Sequence, residues 1–160
     1  MNSNPITKEG FDKLKKELDF IKTVSLPANI RDIETARAHG DLSENAEYAA
    51  AKEMQSFIYG RIQELENNLA HSYIIDLKNI STDRVVFGVT VLIEDSNTGD
   101  EIEYQLVGPH ESDINENKIS VASPIGKALI GKEVGDVATV KTPGGIREFS
   151  VIDIYLGKKG

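Results

Sequence analysis

The chain has 160 residues with a formal net charge of −8, and it is 39% hydrophobic and 28% charged. That length allows one large domain or two small ones. The acidity argues against wholesale binding to bare nucleic acid, which needs clustered Lys and Arg against phosphates, and leaves weak or indirect DNA contact at most. With no cysteine, disulfides, thiol catalysis and thiolate metal sites are excluded, and His39, His71 and His110 have no metal-ligand spacing.

No stretch approaches the roughly 18 apolar residues of a membrane span, and the first five residues lack the basic and apolar regions of a secretory leader. A cytoplasmic protein with no membrane partner is the expectation. Residues 6 to about 75 read as helix. Thr7 is the N-cap candidate, with Ile6 and Phe11 at the flanking staple positions. Leu14, Leu18 and Ile21 step by four and three, as in a coiled-coil seam. Pro27 predicts a kink or restart, because Ile30, Ile33 and Ala36 resume helical spacing. Gly40 predicts a C′ stop. A second helix follows at once, with Ala51, Met54, Ile58, Ile62, Leu65 and Leu69 as its seam. Two such segments with a short reversal make an antiparallel helical hairpin, each arm about 45 Å long at about 1.5 Å per residue.

From about residue 80 the pattern changes. Val85–Phe87, Val89–Glu94 and Glu101–Gly108 read as strands, with a hairpin turn at Asn97-Thr98-Gly99-Asp100. Ser123-Pro124 predicts the start of a short helix through Ile130, with Gly131 as its C′ residue. Val137–Lys141 and Arg147–Tyr155 read as two more strands around Thr142-Pro143-Gly144-Gly145. The expected fold class is α+β: a helical hairpin over 1–75, a polar linker over 76–83 and a small antiparallel-sheet domain over 84–160.

The reversal holds the most informative residues. Asp41 and Glu44 lie where the chain turns back. One reading makes Asp41-Leu42-Ser43-Glu44 a capping box, with Asp41 accepting from the Glu44 amide and Glu44 reaching back. The other makes both carboxylates hard-oxygen ligands of a divalent cation. Mg²⁺ takes only one or two protein carboxylates, so the pair would be part of a site completed elsewhere. Both roles can coexist. Arg37, Lys52 and Arg61 are the nearest basic residues, either ordinary solvated charge or a short track for a nucleic-acid backbone. Lys52 is about 12 Å along the second arm from Glu44. Tyr48 either packs across the hairpin or stacks a base.

At these residues the chain resembles the bacterial transcript-cleavage factors of the GreA/GreB family. The resemblance is carried by Ala36-Arg37, His39-Gly40-Asp41-Leu42, Glu44-Asn45-Ala46-Glu47-Tyr48 and Gly60-Arg61-Ile62. Phe87-Gly88, Ser123-Pro124-Ile125-Gly126, Leu129-Ile130-Gly131-Lys132 and Lys141-Thr142-Pro143-Gly144-Gly145 extend it over essentially the whole length. It implies an N-terminal antiparallel coiled coil and an FKBP-like C-terminal domain. It further implies a transcription elongation factor that docks on RNA polymerase at the secondary channel, with Ser123 and Pro124 as candidate docking residues. Asp41 and Glu44 would share a Mg²⁺ with the polymerase active site. Arg37, Tyr48 and Lys52 would guide the nascent RNA 3′ end. No cofactor would be stably bound, and backtracked RNA would be cleaved by the polymerase rather than by this chain. Ser43 stands where the family often has a basic residue, which predicts weaker RNA contact. The modest basic content of the hairpin fits factors that act on short backtracks.

Two other classes compete. One is an FKBP-like prolyl isomerase or a chaperone with coiled-coil arms. Isomerase activity requires an aromatic-lined concavity, and the C-terminal half offers only Phe87, Tyr104, Phe149 and Tyr155 with no tryptophan. The other is a coiled-coil module that dimerises through its seam. A hairpin that buries both seams internally predicts a monomer.

Overall fold

The computed structural model describes residues 3–41 and 45–157. The chain divides into two compact units, one of residues 12–71 and one joining the N-terminal stretch through Phe11 to the chain from Ser72 onward. The two units part at Ser72, close to the expected boundary at residue 75, and the first eleven residues group with the sheet rather than with the hairpin.

The helical unit is built from two arms. The first is α1 (Lys8–Phe20), one π-helical turn (Ile21–Ser25) and α2 (Leu26–Arg37). The second is α3 (Ala46–Ala70), whose 25 residues span about 38 Å. Thr7 caps α1 as expected: its Oγ1 accepts from the Gly10 amide at 3.0 Å. The restart at Pro27 takes the form of the π turn. Proline has no N–H to give the carbonyl four residues back, and the ladder widens just before it, with the Leu26 amide reaching the Ile21 carbonyl. Thr23 also donates its hydroxyl to the Asp19 carbonyl at 2.8 Å.

Cross-arm contacts recede from the reversal on both arms at once, as in an antiparallel pair. Asn45 meets Ala36, Asn29 meets Ala51, and Arg61 meets Glu17 at 2.7 Å. Leu14, Ile33, Ala36, Ile58, Ile62 and Leu65 form the buried seam. One seam expectation is corrected: Met54 is 54% exposed; on the first arm Ile30, which keeps helical spacing, is 39% exposed. The buried position belongs to Asn29, whose Nδ2 donates to the Ala51 carbonyl at 2.9 Å. A buried amide needs such a partner, and the small side chain of Ala51 leaves its backbone within reach.

In the other unit, β1 (Asn4–Thr7) and β2 (Ser72–Ile75) pair in parallel with Ile6 opposite Ile74. These are the two ends of the segment expected to be helical throughout. Pro5 and the β-branched Ile6, Thr7, Ile74 and Ile75 favour extended backbone. Glu111 then holds β1 in place, accepting from the Thr7 amide at 2.7 Å, the Thr7 hydroxyl at 2.5 Å and the Gly108 amide at 3.1 Å. A partner more than a hundred residues away leaves no trace in local periodicity.

The main sheet has five strands: β3 (Thr90–Asp95), β4 (Glu101–Val107), β5 (Lys118–Ser120), β6 (Val137–Thr142) and β7 (Gly145–Tyr155). Their order is β5-β4-β3-β7-β6, antiparallel except for β4 with β5. Gly99, at φ +75°, makes the turn between β3 and β4. Val91, Ile93, Leu106 and Val151 are buried together with Leu129 of α4 (Pro124–Leu129). The expected strand over Val85–Phe87 does not form. Val85 is fully buried but exchanges backbone hydrogen bonds with Gly131 and Lys132, in the loop after α4. At the end of β3, Asp95, almost wholly buried, pairs with Arg147 of β7. The result is an α+β chain, a helical hairpin followed by a curled sheet.

Candidate functional site at the end of the hairpin

Asn45 organises the reversal. Its backbone is extended, its Oδ1 accepts from the Tyr48 amide at 3.0 Å, and it is the N-cap of α3. Its Nδ2 donates to the Ala36 carbonyl in the last turn of α2 at 2.7 Å, adding to the longer bond that carbonyl accepts from the His39 amide. One amide thus closes both helix ends. α3 starts at Ala46 with Asn45 as its cap; the Asp41–Glu44 capping box falls partly outside the described residues. The signal was legible in principle, because Asn directly before a long helical run is a start signal.

The first arm ends cleanly. The amides of His39 and Gly40 reach the Ala36 and Arg37 carbonyls, each at 3.2 Å. Gly40 carries φ +105°, a left-handed turn that glycine adopts without strain. It lies two residues past the Ala38 C-cap, one later than expected. Asp41 follows it and is exposed. Glu44, with Leu42 and Ser43, lies outside the described residues.

The other expected tip residues come together in part. Arg37 ends α2 and Tyr48 lies in the first turn of α3, with the guanidinium 6.0 Å from the ring centroid, at the limit of a cation–π contact. Lys52 is one turn further along the same face of α3; it is exposed, with Nζ 3.1 Å from the Gln55 Oε1. His39 and Glu47 face each other across the reversal at 3.2 Å, a contact that sequence reasoning missed. Arg37, Tyr48 and Lys52 therefore form one cationic and aromatic stripe descending from the tip. Ser123 and Pro124 belong to the other unit. Ser123 is a helix cap whose hydroxyl accepts from the Gly126 amide at 3.1 Å and donates to the Ser120 carbonyl at 2.6 Å. Pro124 is exposed beside it.

Among the described residues no three His, Cys, Asp or Glu side chains are grouped to hold a metal ion, and no helix is long and apolar enough to cross a membrane. Asp41 supplies a hard carboxylate oxygen of the kind Mg²⁺ prefers, but one or two such groups fill only part of its octahedral shell. The donor chemistry fits an ion shared with another molecule.

The helical hairpin with an exposed acid past its closing turn, joined to a curled sheet, defines an α+β protein of two units. Residues 4–74 match the family described as transcription elongation factor, N-terminal, and residues 80–156 match transcription elongation factor, GreA/GreB, C-term. The chain belongs to the GreA/GreB family of transcription elongation factors. It is 68% identical to transcription elongation factor GreA of Syntrophus aciditrophicus, over 98% of this chain and 97% of that protein. It is 52% identical to the GreA of Methylococcus capsulatus, over 96% and 98%. Among solved structures, the GreA factor homolog 1 (Gfh1) protein of Thermus thermophilus is 31% identical, covering 97% of this chain and 99% of its own, with a TM-score of 0.45.

Proposed function

We propose that this elongation factor acts inside RNA polymerase. It binds in the secondary channel and stimulates the enzyme's own Mg²⁺-dependent cleavage of backtracked nascent RNA, so that arrested complexes resume synthesis. It is not a nuclease by itself and works in the cytoplasm as a monomer, since the hairpin buries its own seam. The observation that supports this best is the place of Asp41: it is exposed and directly follows the closing turn at Gly40, at the end of the hairpin, which suits delivery into another molecule's active site.

The chemistry follows from charge. Phosphodiester hydrolysis with two metal ions needs an activated water and charge compensation at the in-line phosphoryl group, and a bound Mg²⁺ supplies both. Asp41 and Glu44 would hold that ion jointly with the polymerase carboxylates. Tyr48 offers a ring face to an unpaired base, worth about 1–3 kcal/mol in stacking. Arg37 and Lys52 neutralise backbone phosphates and keep the RNA 3′ end in line. Pro124, exposed on a short helix locked by Ser123, suits a docking contact with the polymerase surface.

The test uses stalled, backtracked polymerase complexes carrying 3′-labelled RNA. Wild-type protein should release short 3′ fragments. Asp41→Ala and Glu44→Ala should bind polymerase and release none. Unchanged cleavage by both variants would refute the shared-ion mechanism, and cleavage of free RNA by the purified wild-type chain would refute the non-nuclease reading.

A further inference from the structure

Just below the reversal, a groove of about 430 Å³ runs between α2 and α3. Asn29, Asp32, Thr35 and Glu47 line it with Ala51 and Met54. Asn29 is 4% exposed, and its Oδ1 has no hydrogen-bond partner while its Nδ2 is committed to the Ala51 carbonyl. Buried acceptors are rarely left in this state, and each demands an explanation. Among the described residues Asp32 forms no ion pair. The orphan amide oxygen and the unpaired Asp32 carboxylate, with Glu47 turned in part to His39 at 3.2 Å, thus give the groove negative potential, strengthened by the apolar floor.

The geometry points to a cationic side chain as occupant, and we infer that this groove receives an arginine of the RNA polymerase channel wall. The inference rests on the polymerase reading above. Ala51 and Met54 give an arginine stem an apolar surface to lie along. Asp32 offers its whole carboxylate to a guanidinium, and Glu47 the oxygen not turned to His39; a guanidinium's planar fork of donors matches carboxylates better than an ammonium does. The groove has the size of a site for one small group rather than for a whole helix. It would register the arm in the channel from the side, independently of the acids at the tip.

The experiment measures association and dissociation rates of the full chain on core polymerase for wild type, Asp32→Asn and Glu34→Gln. Asp32 and Glu34 are both exposed acids on α2, and only Asp32 lines the groove. Loss of a charged hydrogen bond in a seated pair should speed dissociation of Asp32→Asn about tenfold with little change in association. Glu34→Gln should alter affinity less than about threefold. Equal effects of the two variants, or none from Asp32→Asn, would overturn the inference while leaving the polymerase reading intact. An Asp32→Asn effect that vanishes when EDTA removes Mg²⁺ would assign the groove to a metal ion and overturn the arginine. Absence of wild-type binding would sink both readings together.

Discussion

Asn45 donates to the Ala36 carbonyl across the reversal at 2.7 Å while its own oxygen starts α3. Two helix termini that each leave backbone groups unpaired are closed by one side chain. Asn45→Ala should therefore cost about 1–2 kcal/mol as a lost cap, with a further contribution from the lost cross-arm hydrogen bond to the Ala36 carbonyl. Asn45→Asp keeps the capping oxygen and loses only the donor, so it should fall between wild type and alanine. Thermal denaturation ranks the three, and equal melting of Asp and Ala variants would show that the cross-arm bond carries the effect.

Gly60 and Gly126 should respond to alanine in opposite directions. Gly60 lies within α3, and a Cβ there meets nothing within 4 Å. Gly60→Ala should stabilise the helix by about 0.5–1 kcal/mol, because glycine loses more backbone freedom on folding. At Gly126 a Cβ would approach the Ser120 carbonyl oxygen to 2.1 Å. Gly126→Ala should destabilise by about 1–3 kcal/mol as the overpacked corner shifts. Denaturant titrations of the two variants give the comparison, and a stable Gly126→Ala would mean the Ser120–Ser123 corner is pliant.

Asp95 gives the sheet unit an acid-dependent component of stability. The Arg147 side chain, and then the Asn97 amide, hold its carboxyl below its ordinary value of 3.8. In the unfolded chain the group takes up its proton at higher pH than in the fold. Its contribution is therefore complete above about pH 4 and is lost as pH falls through the lower folded value. Asp95→Asn should flatten the acid limb of a stability–pH curve relative to wild type. Identical curves would show that the Arg147 contact does not persist in solution.

Lys52 should matter to RNA and little to docking. Lys52→Gln should reduce transcript cleavage about threefold to tenfold, the loss of one phosphate contact of about 1 kcal/mol, and the deficit should shrink at high salt. Polymerase affinity should be unchanged. A deficit independent of salt would point to a local role on α3 instead.

Much of this architecture is legible in the residues. The two helical runs, the restart at Pro27, the Thr7 cap and the Ser123-to-Gly131 helix all follow from local chemistry acting within a few residues. The misreadings have a common cause. β1 is held by Glu111, Val85 by the loop after α4, and the seam position of Asn29 by the Ala51 carbonyl; each depends on a partner that periodicity does not report. At the reversal the acids drew attention away from Asn45, the residue that immediately precedes α3 and caps it.

The parallel pairing of β1 with β2 makes the helical arm a cassette. The chain leaves the sheet unit after Phe11 and re-enters it at Ser72, whose strand lies alongside β1, so the arm is inserted into that unit rather than placed before it. Exchanging arms between relatives is then an exchange of a loop with fixed ends. Junctions near residues 11 and 72 carry a foreign arm with both anchoring strands intact. A cut at the linker after residue 75 instead severs the sheet unit from two of its own strands, and a chimera joined there inherits a mismatched base.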